Sequence, residues 1–381
     1  METASTGSSA PIAGNFEPSP NPAHRAWPLD LLRIFAALLV LVQHWSIVGL
    51  SEVANSEYLK VTFSYGYLGV DVFFFISGIV ITRSALSSDA RRFTVARFAR
   101  LAPAYLVILL ISIPVGLYTK DTRYEISSIF SSLSFSEFVT QPQADDLLIL
   151  DSWTLWVEIQ FYFLIAVLLL LFGLWQMLVR THTGISLSIF KVVFSIWLAF
   201  LALNTAGNSG IPILLTLGGF ATAFICGGLF GTVTNLNSLL RLSPILFLAT
   251  TLMFYGFYER SLNSMGTFGS LDLQSSHVLV ATFLVVLCLL AVLSGLVAGP
   301  LPARSAKIIT IAALATYPLY LMHQELGNRS ILKMTELGVP VALSVSVTFI
   351  WCVALSIFIS MKIEPPMRAA ILRIGSMPSK T

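Results

Sequence analysis

Charge is scarce in this chain. Asp, Glu, Lys and Arg together make up 11% of its 381 residues, against about 25% in soluble domains. That scarcity excludes an ordinary water-soluble fold, and with 56% hydrophobic residues it describes a polytopic membrane protein. A formal net charge of +3, with the basic residues dispersed, excludes nucleic acid as a partner. Cysteine is equally sparse. Cys226, Cys288 and Cys352 lie far apart in apolar runs, which excludes a disulfide framework or a cysteine metal set. The first 28 residues lack any apolar core and are rich in Ser, Pro, Ala, Gly and Asn, so they read as a disordered tail and not as a signal peptide. No internal repeat is evident.

Long apolar runs are abundant, and they predict an all-α bundle of about ten transmembrane helices within residues 29–361. The spans read as Leu29–Leu50, Tyr65–Leu86, Leu101–Leu117, Ser152–Leu174, Phe190–Leu203, Ile211–Val233, Pro244–Tyr258, His277–Ala298, Ile308–Leu326 and Val339–Met361. The fifth and seventh are short. Sixteen of the 22 Lys and Arg, Arg33 and Lys191 included, fall on one face of this arrangement. By the positive-inside rule that face is cytoplasmic and both termini lie there, with a short basic tail over residues 362–381. The longest outer loop, Tyr118 to Asp151, is acidic at its far end (Asp145, Asp146, Asp151) and reads equally as a lid or as a solvated connector.

Ionisable groups inside such spans are costly and therefore informative. Arg33 and His44 are eleven residues apart on the first helix, which places them about 20° apart on one face with a rise of roughly 16 Å. Asp71 and Glu158 fall about two turns into helices two and four, and His323 near the outer end of helix nine. His44, Asp71, Glu158 and His323 are thus expected at similar depth. Each alone reads as interhelical polar glue. Asp71, in a Gly- and Phe-rich packing segment, reads as structural, and His24, His182 and His277 take no role. At the basic face, Arg97 and Arg100 are three residues apart at the start of helix three, neighbours able to clamp a phosphate. Arg91 and Arg92 read as interfacial anchors. The pattern is a split site, with an anion at the basic face and acid/base groups above it.

These residues resemble the acyltransferase-3 family of integral-membrane O-acyltransferases over nearly the whole chain. The family's Arg–ten residues–His pattern is met by Arg33 and His44 in LDLLRIFAALLVLVQHW. GYLGVDVFFFISGIVIT (Gly66–Thr82) is similar to its second-helix signature. Arg97 and Arg100 fit its Arg-x-x-Arg motif, DSWTLWVEIQFYFL (Asp151–Leu164) its Ser-Trp-Glu segment, and YPLYLMH (Tyr317–His323) its late Tyr-x-Leu-Tyr-x-x-His. Ile159 departs from the pattern, replacing a second carboxylate often found after Glu158.

The resemblance implies acetyl-CoA or another short acyl-CoA as donor substrate, with no metal. Arg97 and Arg100 would bind its phosphates, with Arg33 along the path. His44 would act as general base on a hydroxyl, since imidazole titrates nearest neutrality. Glu158 would orient it or relay its proton, with Asp71 and His323 in support; direct transfer and an acyl-histidine intermediate both remain open. The implied acceptor is an envelope or exported glycan, and the implied location a bacterial inner membrane. Two alternatives stand beside this reading: a proton-coupled secondary transporter, and an O-acyltransferase acting on a small secreted molecule or lipid-linked sugar.

Overall fold

The computed structural model describes residues 27–49, 65–136, 147–179, 187–205, 217–265 and 274–376. Among them there is no strand, and the chain is an all-α bundle of an integral, multi-pass membrane protein. The helices are α1 (Trp27–Gly49), α2 (Gly69–Ala85), α3 (Ala90–Tyr118), α4 (Ile126–Leu133), α5 (Trp153–Val179), α6 (Leu187–Thr205), α7 (Ala221–Gly231), α8 (Leu236–Met265), α9 (Gln274–Val297), α10 (Ala303–Met322), α11 (Arg329–Glu336), α12 (Val341–Phe358) and α13 (Glu364–Ser376). Eight helical segments are long and apolar enough to span a bilayer, and Leu187–Leu203 and Ala221–Gly231 are shorter apolar helices. The seventh expected span is long, not short: α8 runs well past both ends of Pro244–Tyr258, through Arg241 before it and Glu259 and Arg260 after it. The amino-terminal tail, Asp145 and Asp146, and residues 211–216 of the sixth span lie outside the described residues.

Two departures from a plain bundle position the site. Met322 leads into a π-helical segment, His323–Asn328, that joins α10 to α11. A second, Ile359–Ile363, joins α12 to α13. The chain beyond Met361 is therefore helical to Ser376, and α13 lies along α3. Pro365 and Pro366 fall in its first turn, where a missing N–H is best tolerated. The Tyr118–Asp151 connection also has structure, since Ile126–Leu133 is helical.

The core is apolar and closely packed. Helix α1 sits among α2, α9 and α10, while α2 lies against α7. Glycine makes the second contact possible. A Cβ on Gly227 would collide with the Phe75 carbonyl oxygen, and one on Gly78 with that of Phe224, so the two backbones touch through facing glycines. Gly227→Val is expected to force them apart, at about 1–3 kcal/mol or more for an overpacked contact. Thermal melting in detergent reads this as a lower midpoint, and an unchanged midpoint would mean the helices separate freely.

Candidate active site

His44 leaves α1 facing the π-helical segment. Its Nδ1 lies 2.7 Å from His323 Nε2. The two rings are inclined by 16° with centroids 5.0 Å apart. A short nitrogen contact at that centroid separation sets the rings edge to edge, the geometry of an N–H···N hydrogen bond.

The direction of that bond follows from the far side of His323. Its Nδ1 is 2.6 Å from the Tyr320 carbonyl oxygen, which can only accept, so Nδ1 carries the proton. Nε2 of neutral His323 is then the acceptor, and His44 Nδ1–H donates to it. The lone pair of His44 is left on Nε2. The Gln324 side-chain amide nitrogen stands 2.8 Å from each of the two ring nitrogens of His44. Behind His323 stands Asp151, with Oδ2 3.4 Å from Nδ1 and no hydrogen bond of its own among the described residues. His323 and Asp151 are 1% and 2% exposed, which places a buried carboxylate behind a buried imidazole.

The same three residues offer a possible metal donor set. The 2.7 Å nitrogen separation argues for proton transfer instead, because two imidazoles on one tetrahedral zinc ion at ~2.0–2.1 Å would stand about 3.3 Å apart.

The second feature is a cavity of about 120 Å³ whose lining includes neither His44 nor His323. Arg33, Arg97, Arg100 and Glu158 all line it, together with Tyr162, Tyr317 and Tyr320. Tyr320 also stands beside His323, with ring centroids 5.6 Å apart, so it forms the wall between cavity and imidazole pair. Arg97 Nη2 donates to Ser84 Oγ at 2.8 Å, and its guanidinium lies over Phe93 and Tyr162. Arg100 lies over Tyr317 at 5.1 Å. Arg33 Nη1 reaches Asp30 Oδ1 at 3.3 Å. Aromatic faces thus hold two guanidinium groups while leaving N–H groups for a ligand.

The four groups expected at one depth separate into three places. His44 and His323 pair. Asp71 is enclosed and forms an ion pair with Arg260, which also donates to the Gly219 carbonyl at 2.7 Å and packs on Phe220. Glu158 is in the basic cavity, accepting from Tyr162 Oη at 2.6 Å and from Ser77 Oγ at 3.3 Å. Among the described residues no hydrogen bond joins it to His44; the positions beside that ring belong to His323 and Gln324. Asp151 and Gln324 are the groups that sequence reasoning missed. Asp151 counted as a loop acid, and Gln324 is an uncharged residue beside a histidine.

An ionic frame holds the π-helical segment in place. Glu325, 2% exposed, accepts from Arg123 Nη2 at 3.1 Å, Arg329 Nε at 2.8 Å and Tyr124 Oη at 2.9 Å. Asp121 pairs with the same two arginines. Arg123 and Tyr124 also donate to the Leu147 and Leu148 carbonyls, which fixes the strand of chain leading to Asp151. Trp45 Nε1 donates to the His323 carbonyl at 2.9 Å and packs on Gly327.

Burial alone would raise the Asp121 carboxyl, but hydrogen bonds from Arg123 and Arg329 and the Arg123 charge hold it well below the usual range. Such a group stabilises the fold fully above its ordinary value near ~3.9, and the contribution is lost as pH falls through its depressed folded value. Asp121→Asn is expected to lower the melting midpoint at pH 7 and to remove this group's part of the loss between about pH 4 and pH 2. Melting curves across that range, wild type against variant, check both signs. Burial, with Glu325 adding to it, pushes the Tyr124 phenol up, so it stays a donor throughout.

The fold and site together define a membrane helix bundle with a cationic cavity near a pair of imidazoles, His44 half-buried and His323 buried, an arrangement suited to group transfer. A family model for an acyltransferase domain matches residues 28–361, and the chain belongs to that family. Among curated proteins it is similar to YrhL of Bacillus subtilis (strain 168), whose name proposes peptidoglycan O-acetylation, at 28% identity over 47% of this chain and 29% of YrhL. Nodulation protein 10 of Rhizobium leguminosarum bv. viciae is 28% identical over 39% of this chain and 45% of its own length. The O-acetyltransferase OatA of Staphylococcus aureus (strain NCTC 8325 / PS 47) is 30% identical over 36% and 23%. The matched segments span less than half the length of each of these relatives. No solved structure gives a significant match.

Proposed function

We propose that this protein is a membrane O-acyltransferase that takes an acyl group, acetyl in the first instance, from acyl-CoA held in the basic cavity. The acceptor is a hydroxyl arriving on the side of His44. The His44–His323–Asp151 arrangement is the observation that carries the reading. Positive-inside asymmetry puts the Arg97 and Arg100 end in the cytoplasm, where acyl-CoA is available, and the acceptor on the far side. An envelope or exported glycan suits that side, and OatA, named an O-acetyltransferase, supports acetyl as the group transferred. The bacterial relatives support a bacterial inner membrane.

In this reading His44 Nε2 takes the hydroxyl proton as the acceptor oxygen attacks the thioester carbonyl. The carbon–sulfur bond breaks, and the proton passes from His44 to the departing thiolate, giving ester and free thiol. Positive charge on His44 is relayed through the Nδ1–H bond to His323 and opposed by the Asp151 carboxylate behind it. Gln324, whose amide nitrogen stands beside the His44 ring, has an N–H available for the developing oxyanion. Arg97 and Arg100 hold the donor phosphates, Arg33 lines the path, and Glu158 orders the cavity wall through Tyr162.

Membranes containing the protein, incubated with acyl-labelled acetyl-CoA and envelope glycan extract, test the reading. Label is expected on glycan with wild type and not with His44→Ala. Transfer independent of His44 would overturn it, as would proton-coupled solute uptake without transfer.

A further inference from the structure

The arginine pair on α3 has further charged neighbours beyond the cavity lining. The second π-helical segment carries the helix on from α12 into α13, anchored by Ser360 Oγ donating to the Leu314 carbonyl at 3.1 Å. Helix α13 then lies on α3, with Gly375 packed directly on Val95. This brings Glu364 and Arg368, one turn apart, to the Arg97–Arg100 pair. Glu364 Oε2 lies 3.6 Å from Arg100 Nη1, near enough for an ion pair and too far for a hydrogen bond. Arg368 follows Glu364 by one turn on the same face of α13, the helix that packs on α3.

The cluster is left incomplete. Arg97 Nε, Arg100 Nη1, Arg368 Nε and Glu364 Oε1 are all buried, and none has a hydrogen-bond partner. Three guanidinium groups stand against two carboxylates, Glu364 and Glu158, so positive charge is in excess while donors remain unused. A buried N–H without an acceptor is costly, and clustered arginines repel. One added anion with several oxygens would meet both demands.

We propose that Arg368 is the third guanidinium of a phosphate site formed with Arg97 and Arg100, and that Glu364 is its resident counter-anion, displaced when a phosphorylated ligand enters. The ligand class is a nucleotide-type phosphate ester such as the phosphate end of CoA, and this rests on reading the cavity as the donor site. A purely structural role would make Glu364 and Arg368 a staple between α13 and α3. The two roles differ in sign. Losing either member of a staple weakens the fold and leaves the folded protein's anion affinity unchanged, whereas in the proposed site the two losses act oppositely.

Isothermal titration of the purified full chain with CoA, and separately with inorganic pyrophosphate, decides between them. Arg368→Gln is expected to weaken CoA binding about tenfold or more, as for loss of one charge-assisted hydrogen bond. Glu364→Gln is expected to tighten it several-fold. Unchanged affinity in Arg368→Gln, or weaker binding in Glu364→Gln, overturns the proposal. Should Arg368→Gln fail to fold, the sign of the Glu364→Gln change decides alone. If wild type binds pyrophosphate but not CoA, the donor reading fails, and the same variants measured with pyrophosphate still judge the phosphate site. Binding of neither probe overturns both.

Discussion

His44→Ala is expected to lower acyl transfer by roughly 10²- to 10⁴-fold, the range supplied by a positioned general base. Donor binding should survive, because Arg97 and Arg100, which would hold it, line the cavity and His44 does not. Asp151→Asn separates the relay from mere packing. It keeps the size of the side chain, and the Tyr320 carbonyl still fixes the His323 tautomer. Only the negative charge behind the imidazole pair is lost. The expected result is a fall in kcat with KM for the donor unchanged, smaller than for His44→Ala. A variant as active as wild type would remove Asp151 from the chemistry and leave the imidazole pair acting alone. Equal loss of donor binding and turnover in both variants would instead mark the pair as structural.

Glu325→Ala is expected to be the most destabilising single change. The carboxylate is almost fully enclosed and is shared by Arg123 and Arg329, each about one-fifth exposed. Breaking a buried ion pair by removing one partner costs about 3–5 kcal/mol, because the remaining charge is left uncompensated. The value here should fall near the low end, about 3 kcal/mol, since Asp121 still faces both arginines. Thermal and denaturant unfolding in detergent reads the loss directly. A second readout is kinetic. The same carboxylate ties the π-helical segment to the chain before Asp151, so turnover should fall at temperatures where the variant is still folded. Full activity below the melting midpoint would show that the relay is held without this frame.

The helices were legible because apolar runs of bilayer length leave little alternative. Helical periodicity also placed Arg33 and His44 on one face, and Arg97 beside Arg100. All three arginines line one cavity. Neighbourhood between helices was not legible. The partner of His44 lies 279 positions away, and spacing along a chain carries no information about contacts at that distance. Depth alone grouped His44, Asp71 and Glu158, yet helices at equal depth present different faces to one another. The π-helical segments were invisible for a related reason. His323 and Gln324, consecutive residues of the first of them, both reach His44. Asp151 was hidden by its position at a helix entrance, where an acidic residue ordinarily reads as solvated.

Helix α1 also acts as a gauge. It carries Arg33 at the cavity and His44 at the imidazole pair, and its backbone sets their separation at about 16 Å of rise. A hydrogen-bonded helix does not stretch, so length becomes a criterion of selection independent of charge or shape. In the proposed reading a donor that runs from the Arg97 and Arg100 end past Arg33 to His44 would have to cover that interval to present its reactive carbonyl. Truncated thioesters without a phosphate end can occupy one station at a time, and the helix would reject them by measurement alone.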